Sequence, residues 1–109
     1  MAFDEDLANR IREQLHRRRD IEEKKMFGGV GFLLNGNILV GVWKDELIVR
    51  LGPEQGDDAL REPHVRVFDI TGRAMKGWVL VAPEGTEGDD QLADWIGLAL
   101  AFVEGLPAK

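Results

Sequence analysis

Val30-Gly31-Phe32-Leu33-Leu34-Asn35-Gly36-Asn37-Ile38-Leu39-Val40-Gly41-Val42-Trp43 is the stretch that decides the fold. Two apolar runs flank Asn35-Gly36-Asn37. Asn-Gly is the strongest short hairpin signal, because both central residues of the favoured turn need positive φ. Lys44-Asp45-Glu46 makes a second tight connection, into Leu47-Ile48-Val49-Arg50-Leu51. Strands joined this closely pair antiparallel. Upstream, residues 22–27 read as one more extended piece. Downstream, Gly52-Pro53 stops the sheet, and Val65–Asp69 with Lys76–Ala82 read as a second strand pair, followed by a turn at Pro83-Glu84-Gly85.

Helices fill the remaining chain. Over residues 4–18, Leu7, Ile11 and Leu15 recur every four positions, with Asp4 as N-cap. Acids crowd the start of this helix, and His16-Arg17-Arg18-Arg19 sits at its negative end, so the dipole accounts for the basic run without nucleic acid. Residues 54–62 form a weak short helix, broken by Gly56 and ended by Pro63. The last helix begins near Asp89-Asp90 and runs to about Glu104, with Gly105 and Pro107 as terminators. Its stripe of Leu92, Trp95, Ile96, Ala99, Leu100 and Val103 is widened by Leu98 and Phe102.

The order α-β-β-β-β-α-β-β-α is that of an α+β, two-layer domain. It has an antiparallel sheet of five to six strands with helices on one face, in a single domain over residues 1–109. Ile38–Trp43 and Trp78–Ala82 are apolar at consecutive positions, so both faces of the sheet are expected to need cover. Burial against a second copy is the expected answer, with Leu98 and Phe102 at the dimer interface; the alternative is a small core curled at the ends of the sheet.

Composition excludes more than it selects. Fourteen basic and 20 acidic residues leave a net charge of −6, which opposes contact with a phosphate backbone, so no specific nucleic-acid partner is expected. There is no cysteine, serine or tyrosine, and the only hydroxyls are Thr71 and Thr86. Nucleophilic catalysis by Ser, Cys or Tyr and thiolate metal sites are therefore excluded. His16 and His64 lie in different segments, without a neighbour at metal-ligand spacing. Asp57-Asp58 and Asp89-Asp90 are adjacent pairs, whose side chains diverge on a helix, so they read as helix-start acids rather than catalytic carboxylates. No apolar stretch approaches the ~20 residues that span a bilayer, and the acidic start is unlike a signal peptide; the expectation is a cytoplasmic protein without membrane contact or cofactor.

Two short segments stand out against this background: Lys25-Met26-Phe27-Gly28-Gly29 and Thr71-Gly72-Arg73-Ala74-Met75-Lys76-Gly77. Each joins glycines to a methionine and a basic side chain. Gly28-Gly29 could present amides to an anion, with Lys25, Arg73 and Lys76 adding charge, while Met26, Phe27 and Met75 could line a partner groove. The structural alternatives are a strand-to-strand bend and core packing. Trp43, Trp78 and Trp95 read as core or interface anchors.

These segments, with Phe32-Leu33-Leu34-Asn35-Gly36-Asn37 and Val49-Arg50-Leu51-Gly52-Pro53, resemble the TfoX N-terminal domain family over nearly the whole chain. Several motifs agree in order. The resemblance implies a two-layer fold similar to secretion-chaperone-like domains, which commonly dimerise, and a role in regulation like that of the bacterial competence regulator. It does not extend to that regulator's further C-terminal domain. Two readings follow. The first is a non-enzymatic, homodimeric regulatory or protein-interaction module, with another regulatory protein as a further partner. The second is a small-ligand or anion-binding domain centred on Lys25, Gly28 and Gly29 with Arg73 and Lys76.

Overall fold

The computed structural model describes residues 3–26, 28–70 and 72–108. Among them the elements run α1 (Glu5–Leu15), β1 (Ile21–Met26), β2 (Gly29–Leu34), β3 (Asn37–Trp43), β4 (Glu46–Arg50), α2 (Pro53–Ala59), β5 (Val65–Val67), β6 (Trp78–Val81) and α3 (Asp89–Val103), with a 3-10 turn at Pro83–Gly85. One antiparallel six-stranded sheet takes the order β1-β2-β3-β4-β6-β5. The α+β architecture read from the sequence is the one observed.

The hairpin at the centre forms as its residues demand. Asn35 and Gly36 both adopt positive φ, 53° and 84°, and Leu34 pairs with Asn37 across the turn. Asn37 is nearly buried, and its side-chain amide donates to the Pro107 carbonyl at 2.9 Å, tying the turn to the C-terminal segment. One bulge interrupts the pairing. Phe32 faces Val40 while Leu33 faces Ile38, so Leu39 is the extra residue and both Leu39 and Val40 are fully buried.

The helices lie on one face. Leu7, Ile11 and Leu15 of α1, Ala59 of α2, and Leu92, Ile96, Ala99 and Val103 of α3 join Val30, Phe32, Val40, Val42, Leu47, Val49, Val79 and Val81 of the sheet in one core. Arg10 fastens α1 to the start of α3, donating to the Thr86 carbonyl at 2.7 Å and to Asp89 Oδ1 at 3.2 Å. Several boundaries differ from the sequence reading. The first helix ends at Leu15 rather than 18, so the basic run lies outside it, and Arg18 turns to Asp20 and to Glu104 beyond α3. The second helix spans 53–59 rather than 54–62, because Pro53 suits its first turn. The final two strands are shorter than expected, 65–67 and 78–81.

The opposite face departs most from expectation. Ile48 and Leu80 do point away from the helices, yet they are 2% and 0% exposed. The segment between β5 and β6 folds over them, with Phe68 fully buried and Ile70, Met75, Trp43 and Trp78 packed alongside. The Phe68 and Trp78 rings meet at 5.3 Å between centroids. Apolar residues on both faces are thus met within one chain by a second small core, and the favoured reason for expecting partner burial there is removed. A loop without regular structure did this, and no periodicity announces such a cover.

Candidate functional site

Two places repay attention: a tight crossing built from the recognisable motifs, and an open cleft built from none of them. The crossing begins with Arg50, which stands opposite Trp78 where β4 meets β6. Immediately after it, the Gly77 carbonyl accepts hydrogen bonds from Leu51 N at 2.8 Å and Gly52 N at 3.1 Å. Gly52 and Gly77 have φ of 87° and 88°. A Cβ on Gly77 would lie 2.8 Å from the Gly52 carbonyl carbon, and one on Gly52 would lie 2.6 Å from the Phe102 ring. Only glycine fits either position.

The Arg50 guanidinium sits 5.1 Å from the Trp78 ring centroid and 5.9 Å from that of Phe102. It makes no hydrogen bond or ion pair among the described residues, and burial pushes its pKa below the ordinary arginine value. The motifs Val49–Pro53 and Lys76–Trp78 therefore converge, but on architecture. Phe102, read from sequence as a dimer contact, is half-buried here and roofs Gly52.

The other expected site residues are distributed as follows. Lys25 is exposed on the edge strand β1. Met26 lays its sulfur over Gly31, in the space a side chain there would need. Phe27 lies outside the described residues, as does Thr71. Gly28 has a φ of 76°, and Gly29 passes so close to the Val42 carbonyl that a side chain is sterically excluded. Arg73 and Lys76 are exposed, and Met75 is half-buried in the second core. Lys25 of β1 stands opposite Val30 of β2, and Lys76 directly precedes Gly77. The turn before Gly29 is at the Trp43 end of the sheet, while Gly77 enters β6 at the Arg50 end, with β3 and β4 between β2 and β6. Three strand spacings alone separate β2 from β6 by about 14 Å.

The cleft lies between α2 and α3, with a volume of about 410 Å³. Ala59, Val65 and Val81 contribute its apolar floor, and Trp95 and Leu98 of α3 stand along one wall. Trp95 is held by its indole N–H, which donates to the Gly85 carbonyl at 3.1 Å. Gly85 allows this because it packs against Val81, where a side chain would collide. Leu98 is 39% exposed, one of three large apolar side chains so exposed among the described residues, with Leu60 and Val67. Asp58 and Glu62 come from the α2 side and Asp94 from α3, and His64 completes the rim.

Among the described residues, no lysine or arginine lines this cleft. Elsewhere some carboxylates are paired: Glu23 with Arg12, Asp20 with Arg18, and Glu46 and Asp69 with Arg66. Asp58, Glu62 and Asp94 form no ion pair among the described residues. Sequence reasoning singled out Leu98 but not the cleft. Asp58 read as a helix-start acid, and Asp94, Glu62 and Trp95 come from segments that only the packing of α2 against β6, and of α3 against β3 and β4, brings to one place. Chemically, the cleft offers apolar surface with acidic margins. Among the described residues no group of three or more His, Asp or Glu is placed to hold a metal ion. No helix is long and apolar enough to cross a membrane.

Comparison with known proteins adds one finding. The family model for the TfoX N-terminal domain matches residues 13–103, which is most of the chain and includes both the crossing and the cleft. Among curated proteins, none matches significantly.

Proposed function

Since the chain belongs to the TfoX N-terminal domain family, we propose that it is a non-enzymatic regulatory module that acts by binding another protein through the cleft between α2 and α3. The observation that carries this reading is the wall of that cleft. Trp95 is fixed in place by its hydrogen bond, and Leu98 beside it is exposed, an arrangement suited to receiving an apolar anchor. The lack of Ser, Cys and Tyr supports a binding rather than a catalytic role. Regulation is what the resemblance to the competence regulator implies.

The homodimer is a second reading, favoured by the same exposed Leu98. The anion-binding reading draws less support, because Lys25 lies on the edge strand β1 while Lys76 precedes β6, with β2, β3 and β4 between those strands in the sheet. A photo-crosslinking residue at Leu98, with one at the exposed Asn9 on α1 as control, tests the preferred reading in cells. The expected result is a discrete adduct from position 98 alone, with a mass other than twice the 12.2 kDa chain. An adduct of twice that mass assigns the surface to self-association. No adduct, or the same adducts from position 9, overturns the proposal.

A further inference from the structure

The cleft also has a charge preference. We infer that it receives a basic amphipathic segment of the partner protein, with an apolar side chain against Trp95 and Leu98 and flanking lysines or arginines against Asp58, Glu62 and Asp94. This rests on the reading of the cleft as a protein-binding surface and adds the chemistry of what enters it.

Three observations converge. The carboxylates stand on both walls: Asp58 and Glu62, four residues apart, on the α2 side, and Asp94 on α3 one residue before Trp95. An apolar anchor settled on the floor thus has acidic groups on either side. Next, the margin carries no neutralising base: Asp58, Glu62 and Asp94 form no ion pair among the described residues, unlike the carboxylates that face the arginines. Arg10 goes to Asp89, Arg12 to Glu23, Arg18 to Asp20 and Glu104, and Arg66 to Glu46 and Asp69. Arg61 is adjacent in sequence to Glu62 but does not line the cleft.

Finally, the consequences of occupancy differ by charge. An uncharged apolar occupant would draw water away from three carboxylates without replacing it. An acidic occupant would add like-charge repulsion on a protein already at −6. A basic segment meets both demands and is steered toward the site before contact. The walls reach far enough for a segment rather than a single group. Lining residues on α3 run from Gln91 to Leu98, about 10 Å of helix at 1.5 Å per residue.

The test uses two synthetic amphipathic helical peptides of 14 residues, one of leucine and lysine and one with glutamate in place of every lysine. Titration into the isotopically labelled full chain is followed by amide and indole NMR shifts. The leucine–lysine peptide is expected to saturate, with shifts confined to residues 55–65, 85 and 91–98 and to the Trp95 indole N–H. The triple variant Asp58→Asn, Glu62→Gln, Asp94→Asn is expected to keep its melting temperature within a few degrees and to bind at least tenfold more weakly. The glutamate peptide is expected not to bind. Three results would each overturn the inference: no saturable shift with the lysine peptide, unchanged affinity in the triple variant, or shifts centred elsewhere. The same shifts on concentrating the protein alone would assign the cleft to a second copy and also sink it. If the glutamate peptide binds in the cleft, or the Leu98 crosslink forms while the lysine peptide fails, the charge assignment falls and the interaction reading stands.

Discussion

The crossing at Gly52 and Gly77 and the cleft between α2 and α3 are opposites in construction. At the crossing, backbones approach so closely that a single added Cβ collides, and two aromatic rings flank an arginine that has no ionic partner among the described residues. At the cleft, side chains stand apart around about 410 Å³ of space, with carboxylates unmatched and a leucine in solvent. The crossing holds the chain's most recognisable motifs. The cleft holds ordinary residues. The contrast teaches that a motif can be recognisable because packing tolerates nothing else there, while a surface able to bind a partner carries no local signature.

If that contrast is right, substitutions should separate the two regions by size of effect. The largest loss is expected for Gly77→Ala. A non-glycine residue at its φ of 88° costs about 1–2 kcal/mol. Forcing a Cβ to 2.8 Å from the Gly52 backbone adds roughly 1–3 kcal/mol of overpacking. Together these should lower the melting temperature by well over 10 °C, on the scale of about 4–8 °C per kcal/mol for a small domain. Thermal unfolding followed by circular dichroism checks this, and a shift of a few degrees would break the comparison.

Phe102→Ala comes next. Fully buried phenylalanines lose about 3–5 kcal/mol on truncation, and this half-buried one over Gly52 and Arg50 should lose about 2 kcal/mol. Urea denaturation measures it. A stable Phe102→Ala that instead changed the oligomeric mass would return Phe102 to an interface role.

Within the same motif as Gly77, the double substitution Arg73→Ala/Lys76→Ala should cost less than about 1 kcal/mol, because both side chains are exposed. A large destabilisation, read in the same urea experiment, would show that these bases secure the segment over the second core.

The smallest effect concerns Arg12 and Glu23, which join α1 to β1 through two hydrogen bonds of 2.8 and 2.5 Å. The hydrogen bond from Arg12 holds the Glu23 carboxyl below its ordinary value. A lowered native pKa stabilises above the unfolded value of about 4.3, and that contribution is lost as pH falls through the native value. Both side chains are more than a third exposed, so solvent screening limits it to a few tenths of a kcal/mol. The stability difference between the native protein and Glu23→Gln should be constant above about pH 5 and vanish in stronger acid. A difference that grows on acidification would contradict the assignment.

Much of the architecture was legible before any coordinates. Asn35-Gly36 placed the central hairpin, Pro53 marked the first turn of α2, and the spacing of Leu7, Ile11 and Leu15 set the buried face of α1. These signals act within a few residues, through backbone sterics and local periodicity. Leu98 as an exposed apolar residue of α3 was also readable. The placing of Asp58 and Asp94 on one cleft was not, because 36 positions separate residues that only tertiary packing brings to the same surface.

The sequence by itself determined which segments are strands and helices, that the sheet is antiparallel, and that common nucleophiles are missing. Only the tertiary structure decided that β6 lies between β4 and β5, that Phe68, Ile70 and Met75 close the second face, that Gly52 and Gly77 cross, and that α2 and α3 leave a gap. The physical reason is range. Turn chemistry and hydrophobic period are properties of neighbouring residues, whereas crossings, covers and clefts depend on the shapes of surfaces far apart in the chain.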